Sequence, residues 1–293
     1  MKHRMTHWAG TAAMAVGLAF GSLGTAQAAD DTIEFGWTAW SDAEFVTKLA
    51  KQVIEERTDY TIELKMAAIG VQYQGVANGD LDGMLMAWLP KTHADYWERF
   101  KDDVDNLGPL YEGAQLGWVV PDYVPEDKLS SIEDLKDEEV IDKLGGKIQG
   151  IDPGAGLMQA SEDTMEGYAL EDDYNLVSAS GAAMTAALER AVENEEWIVV
   201  TGWTPHWMFG RWDLRFLDDP EGTLGGKEHI DAIVRKGFAD DYPEVASFLE
   251  NMDIPLEDLQ AAMYDAQETS YEEAIDKFVE DNQDMIDEWF ADS

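Results

Sequence analysis

Residues 197–210 read WIVVTGWTPHWMFG. The run Trp197–Val200 is short and apolar, the pattern of a buried strand. It gives way at Gly202, and Trp203, Pro205, His206 and Trp207 then fall within five residues. A strand that ends by placing its bulkiest side chains on a loop either packs them into the core or turns them toward a ligand. The same kind of strand end recurs along the chain, and that recurrence sets the fold class.

Working outward, strands and helices alternate. DTIEFGW (31–37) reads as a strand. SDAE (41–44) follows as a capping box, with Ser41 and Glu44 at the ends of the motif. Phe45, Val46, Leu49, Val53 and Ile54 then form a helical stripe. YTIELKM (60–66) alternates as a strand, GVQYQGVANGD (70–80) as a short helix, DGMLMAW (82–88) as a strand and KTHADYWERFK (91–101) as a helix. GAQLGWVVPDYV (113–124) is a strand that meets Pro121. KIQGID (147–152), YNLVSAS (174–180), WIVVTGW and DLRFLDD (213–219) complete the strand set, with helices between them. From about residue 228 onward the pattern reads as amphipathic helix throughout. Repeated strand–helix units predict an α/β fold with a largely parallel sheet. The stretches near 118–125 and 218–226 are two candidate crossings. They divide the chain into a discontinuous first lobe, 29–119 plus 222–293, and a second lobe, 120–221, with a hinge and a ligand cleft between them.

The first 28 residues read as a secretory signal peptide. Lys2 and Arg4 give a positive start, an apolar run follows from about Gly10 to Leu23, and AQA at 26–28 is a small-residue cleavage site. The chain has no cysteine, so there is no lipobox, disulfide or thiolate chemistry. The periplasm of a two-membrane bacterium is the compartment this predicts. The whole chain carries a formal charge of −41, and the leader holds two basic residues and no acid. Such a surface excludes nucleic acid as a partner. The acids fall on segments with clear apolar periodicity, such as EDLKDEEVIDKL (133–144). They read as solvated helix faces suited to high salt.

Three tryptophans stand at strand ends: Trp40, Trp88 and Trp203. In open α/β sheets ligands bind outside the carboxyl ends of the strands, so the three can converge on one cleft. For any one of them core packing is the simpler reading, and Trp37, Trp97, Trp118, Trp197, Trp207, Trp212 and Trp289 are assigned to packing. A fourth strand end, GIDPGAGLM (150–158), places glycines just before a helix, where free N–H groups bind an anion. An indole box suits a quaternary ammonium, which offers no hydrogen-bond donor. A helix start suits a carboxylate. A small zwitterion carrying both groups, such as glycine betaine, satisfies the pair. His93, five residues after Trp88, is the other candidate. His206 is left outside the contact set, as a brace for the Trp203 loop. His93, His206 and His229 are too few for a metal site, and no cofactor is expected. Asp42 and Glu44 are explained by the capping box.

TAWSDAE, AWLPKTH, GIDPGAGLM and TGWTPHWMF resemble the motifs of the glycine betaine-binding proteins of osmoprotectant ABC importers, the OpuAC type. The resemblance implies a two-lobed periplasmic-binding-protein fold of type II-like topology. It implies a prism of Trp40, Trp88 and Trp203 around the trimethylammonium group, with His93 and the backbone amides of Gly156 and Leu157 holding the carboxylate. It further implies a monomer that hands its ligand to a membrane permease and performs no catalysis. A choline or carnitine receptor of the same fold is the alternative. A choline site would want an acid beside the cage and would have no use for the anion loop. An exported carbohydrate hydrolase is the remaining one, disfavoured because no isolated pair of acids stands at the tryptophan-bearing strand ends.

Overall fold

The computed structural model describes residues 32–291, so the leader lies outside the described residues. The first strands and helices follow the expected order: β1 (Thr32–Trp37), α1 (Ser41–Arg57), β2 (Thr61–Met66), α2 (Ile69–Asn78), β3 (Gly83–Leu89) and α3 (Ala94–Phe100). A long strand, β4 (Val104–Pro121), leads into α4 (Glu138–Leu144), β5 (Lys147–Gln149), α5 (Gly156–Gly167), β6 (Asn175–Val177), α6 (Gly181–Glu193), β7 (Val200–Thr204), α7 (Met208–Arg211) and β8 (Leu214–Phe216). The last strand, β9, spans Lys227–Arg235, and helices over Pro243–Asn251, Leu256–Glu268, Tyr271–Asp281 and Gln283–Trp289 follow it.

The strands form one sheet in the order β2-β1-β3-β9-β4-β7-β5-β6, with β8 on β4. Two parallel blocks lie at its ends: β1 runs parallel to β2 and β3, and β5 parallel to β6 and β7. Between them β9 and β4 pair antiparallel, and each is antiparallel to the neighbouring block. The sheet is therefore mixed rather than largely parallel. Residues Val104–Gln115 of β4 pair with β9, and Gln115–Val119 pair with β7. Gln115 faces both partners, so one strand passes from the first block to the second at that residue.

β9 overturns the all-helical reading of the C-terminal stretch. KEHIDAIVR carries four charged residues, which hid the strand pattern. Two of those charges, Glu228 and Asp231, are buried, and burial of a carboxylate requires partners. Glu228 accepts hydrogen bonds from the backbone N–H groups of Lys91 (3.0 Å) and Thr92 (2.9 Å) and from the Thr92 hydroxyl. Asp231 accepts from the Asn106 amide (2.6 Å) and pairs with His229. The charges in this strand hold neighbouring turns in place.

The capping box at 41–44 is also not formed. Trp40 is the N-cap of α1 and makes no side-chain cap bond. Ser41 Oγ instead donates to Met263 Sδ (3.3 Å), and Asp42 is fully buried.

Candidate functional site

The three tryptophans meet. Trp40 stands between β1 and α1, Trp88 is the penultimate residue of β3, and Trp203 lies in β7. All three are buried, and they wall one pocket together with Asp42, Thr92, His93, Gly156 and Leu157. All six residues expected at the site, Trp40, Trp88, His93, Gly156, Leu157 and Trp203, line this one pocket.

Each indole is fixed by its own N–H. Trp40 Nε1 donates to Asp152 Oδ2 (3.2 Å), Trp88 Nε1 to Met86 Sδ (3.2 Å) and Trp203 Nε1 to Asp42 Oδ1 (2.9 Å). With each N–H satisfied, what an indole has left to offer is apolar and π surface.

His93 precedes α3 and is 1% exposed. Its Nδ1 accepts the Trp88 backbone N–H at 3.0 Å. Burial pushes its pKa down to about 3, so the ring is neutral. Because Nδ1 is an acceptor, the single ring proton sits on Nε2. No residue among those described accepts that proton. His93 is therefore a neutral donor of fixed tautomer. The turn before it is braced by Glu228, the carboxylate on β9.

The second donor set is the start of α5. Its N-cap, Ala155, makes no side-chain cap bond. The N–H groups of Gly156 and Leu157 have no hydrogen-bond partner among the described residues, as expected for the first turn of an uncapped helix. The two donor sets touch. A Cβ on Gly156 would lie 2.5 Å from both Thr92 Cγ2 and the Thr92 carbonyl, and 3.1 Å from His93 Cδ2. Glycine is needed here so that the α5 loop can close on the β3–α3 turn.

Asp42 is the residue the sequence reading missed. Its Oδ2 accepts the Tyr111 hydroxyl at 2.8 Å, while Oδ1 takes the Trp203 indole. Burial raises its pKa to about 6, against the lowering effect of those two bonds. The signal was visible as an acid two residues after a cage tryptophan, but the capping motif offered a simpler account of it. His206 stays outside this pocket, as expected. Its Nδ1 accepts the Met208 N–H (3.1 Å) and its ring lies 4.5 Å from that of Trp203.

Besides the Gly156–Thr92 approach, hydrogen bonds join the first parallel block to the second across the cage: Trp203 to Asp42, Trp40 to Asp152, and the Tyr96 hydroxyl to the Gly154 carbonyl (3.1 Å). Among the described residues no group of three His, Asp or Glu side chains could hold a metal, and no helix is long and apolar enough to cross a membrane.

A two-block sheet with an aromatic pocket closed between the blocks defines a two-lobed α/β solute-binding protein. Residues 31–281 match the family described as the substrate-binding domain of ABC-type glycine betaine transport systems, and the chain belongs to that family. It is similar to the glycine betaine/carnitine transport binding protein GbuC of Listeria monocytogenes, at 41% identity over 150 residues. That match spans half of this chain and half of GbuC. The fold is shared with lactococcal OpuAC, solved in a closed conformation with glycine betaine: TM-score 0.82, 38% identity, covering 89% of this chain and all of that one. A choline-binding protein of an ABC transporter, solved with choline, superposes with a TM-score of 0.81 at 25% identity over 89% of this chain and 91% of its own.

Proposed function

We propose that the protein captures glycine betaine, and proline betaine as a second ligand, in the periplasm and presents it to the permease of an ABC importer for osmoprotection. One observation carries the reading. The same pocket is lined by three indoles and, beside them, three donors with no partner among the described residues: His93 Nε2–H and the N–H groups of Gly156 and Leu157. The indoles suit a trimethylammonium group through cation–π attraction and apolar contact. The donors suit a carboxylate, and His93 is neutral, so it offers a hydrogen bond without a competing charge. The bound solved relative supports the ligand.

Function in this reading is binding and hinge closure. In this reading the two lobes are built on the two parallel blocks, with the long strands β4 and β9 between them. Trp40, Trp88 and His93 belong to one lobe; Trp203, Gly156 and Leu157 belong to the other. A ligand touching both makes the closed state favourable, and the permease selects that state. The protein acts as a monomer without a cofactor, and catalysis has no place in the scheme.

Asp42 favours a second reading, a choline receptor. An acid in the cage wall is what a cation without a carboxylate would want. The test is titration with glycine betaine, carnitine and choline, read by tryptophan fluorescence, on the wild type and on His93→Ala. The betaine reading expects tightest binding of glycine betaine, with His93→Ala weakening it while choline binding hardly changes. Tighter choline binding, untouched by His93→Ala, would select the second reading. Equal losses for both ligands would mean that His93 acts on folding or closure.

A further inference from the structure

A second pocket, of about 250 Å³, shares Trp40 and Trp203 with the first. Its chemistry repeats that of the cage. Trp207 and Tyr271 add two aromatic rings to the shared indoles, and Glu44 adds a carboxylate. Lys48 pairs with that acid. Trp207, assigned to packing from the sequence, therefore walls a cavity.

The donor side is repeated as well. Gly181 and Ala182 line the pocket and begin the 13-residue helix α6. The N-cap Ser180 accepts only from the Ala183 N–H, at 3.2 Å. The N–H groups of Gly181 and Ala182 have no partner among the described residues, and a free helix start favours an anion. His206, 2% exposed, supplies an independent donor. Its Nδ1 is occupied by the Met208 N–H, so a neutral ring carries its proton on Nε2, and no described residue accepts it. Aromatic rings, a histidine of fixed tautomer and a free helix start thus occur twice, once in each of the two pockets that share the Trp40 and Trp203 indoles.

We propose that the second pocket is an outer binding site for a small zwitterion bearing a quaternary ammonium and a carboxylate. The ammonium lies against Trp203 and Trp207, since Lys48 Nζ already sits 4.4 Å from the centre of the Tyr271 ring, and the carboxylate meets His206 and the start of α6. The choice of ligand class rests on the reading of the inner cage. The outer site is the weaker of the two, because it is roomier and its rings are less completely desolvated. Loss of about 1.4 kcal/mol of cation–π attraction makes it about tenfold weaker.

The experiment is equilibrium dialysis of radiolabelled glycine betaine against the full mature chain. It is paired with fluorine NMR of protein carrying 5-fluorotryptophan, in which the Trp207 signal is assigned by its loss in Trp207→Phe. Two equivalents are expected, with the Trp207 signal moving only during the second. Ala182→Arg places a long side chain in the outer pocket from an exposed position. It should remove the second equivalent and leave the first within about twofold, as for independent sites. A single equivalent at saturation with an unmoved Trp207 signal overturns the outer site and leaves the inner one standing. A second equivalent that survives Ala182→Arg also overturns it. Absence of any betaine binding overturns both this site and the proposed function, and is recognised by the missing first phase.

Discussion

Asp42 is the residue on which the pH behaviour of the cage turns. Its raised pKa means that the folded, unliganded protein holds this proton more tightly than the unfolded chain does. The sign follows from linkage: stability falls as pH rises from 3.8, the ordinary value, to about 6, where the buried group ionises. A quaternary ammonium against the indoles favours the ionised form and releases the proton. Affinity for glycine betaine is therefore expected to rise with pH through 6, by up to about tenfold between pH 5 and 7 if binding shifts the group by one unit or more. Burial holds His93 and His206 neutral down to about 3, so neither titrates in that window. Calorimetric titration across pH 5–8 checks this, and Asp42→Asn should flatten the profile. A flat wild-type profile would remove Asp42 from the cation's surroundings. A second residue-scale expectation concerns the indoles: Trp88→Ala should cost at least about 1–2 kcal/mol in betaine binding and Trp88→Phe less, read by the same titration.

At the scale of elements, the site depends on how close the first turn of α5 comes to the β3–α3 turn. Gly156→Ala places a methyl group against the Thr92 carbonyl, which cannot move aside cheaply because Glu228 holds the same turn. The helix itself tolerates alanine at this position. Betaine affinity should drop by about tenfold or more, while the thermal melt of the unliganded protein changes little; near-normal affinity would mean that the turn yields. The contrast between these elements also shows what could be read in advance. The strand ends bearing Trp40, Trp88 and Trp203, and the glycine loop before α5, were legible because apolar runs, large aromatics and glycines are local signals. β9 was not. Its Glu228 and Asp231 take hydrogen bonds from Lys91, Thr92 and Asn106, more than a hundred residues away in sequence, and periodicity has no access to those partners. Asp42 was misread for a related reason: a capping motif is local, whereas its bonds to Tyr111 and Trp203 are not. The parallel blocks followed from the alternation of elements, but the antiparallel centre of the sheet depended on the strand that was missed.

For the whole molecule, charge dominates. At −41, carboxylates repel one another over a screening distance of about 30 Å at 0.01 M salt and only about 3 Å at 1 M. The melting temperature is expected to rise with NaCl between 0.05 and 3 M. Betaine affinity should change little over the same range, because the cage is buried and its contacts are poorly screened. Parallel melts and titrations test both halves. A flat or falling melting temperature would refute adaptation to salt, and a steep loss of affinity would count against a closed cage. The position of β9 in the sheet bears on a different matter, the order in which the chain can assemble. β3 and β4 are complete by residue 121, yet β9, which lies between them, ends at Arg235. Until it arrives, both strands present bare hydrogen-bonding edges, and β3 is buried along its whole length in the finished fold. Pairing over such sequence distances is slow. A polypeptide emerging from its N-terminus therefore cannot close the sheet between β3 and β4 until Arg235 has been made.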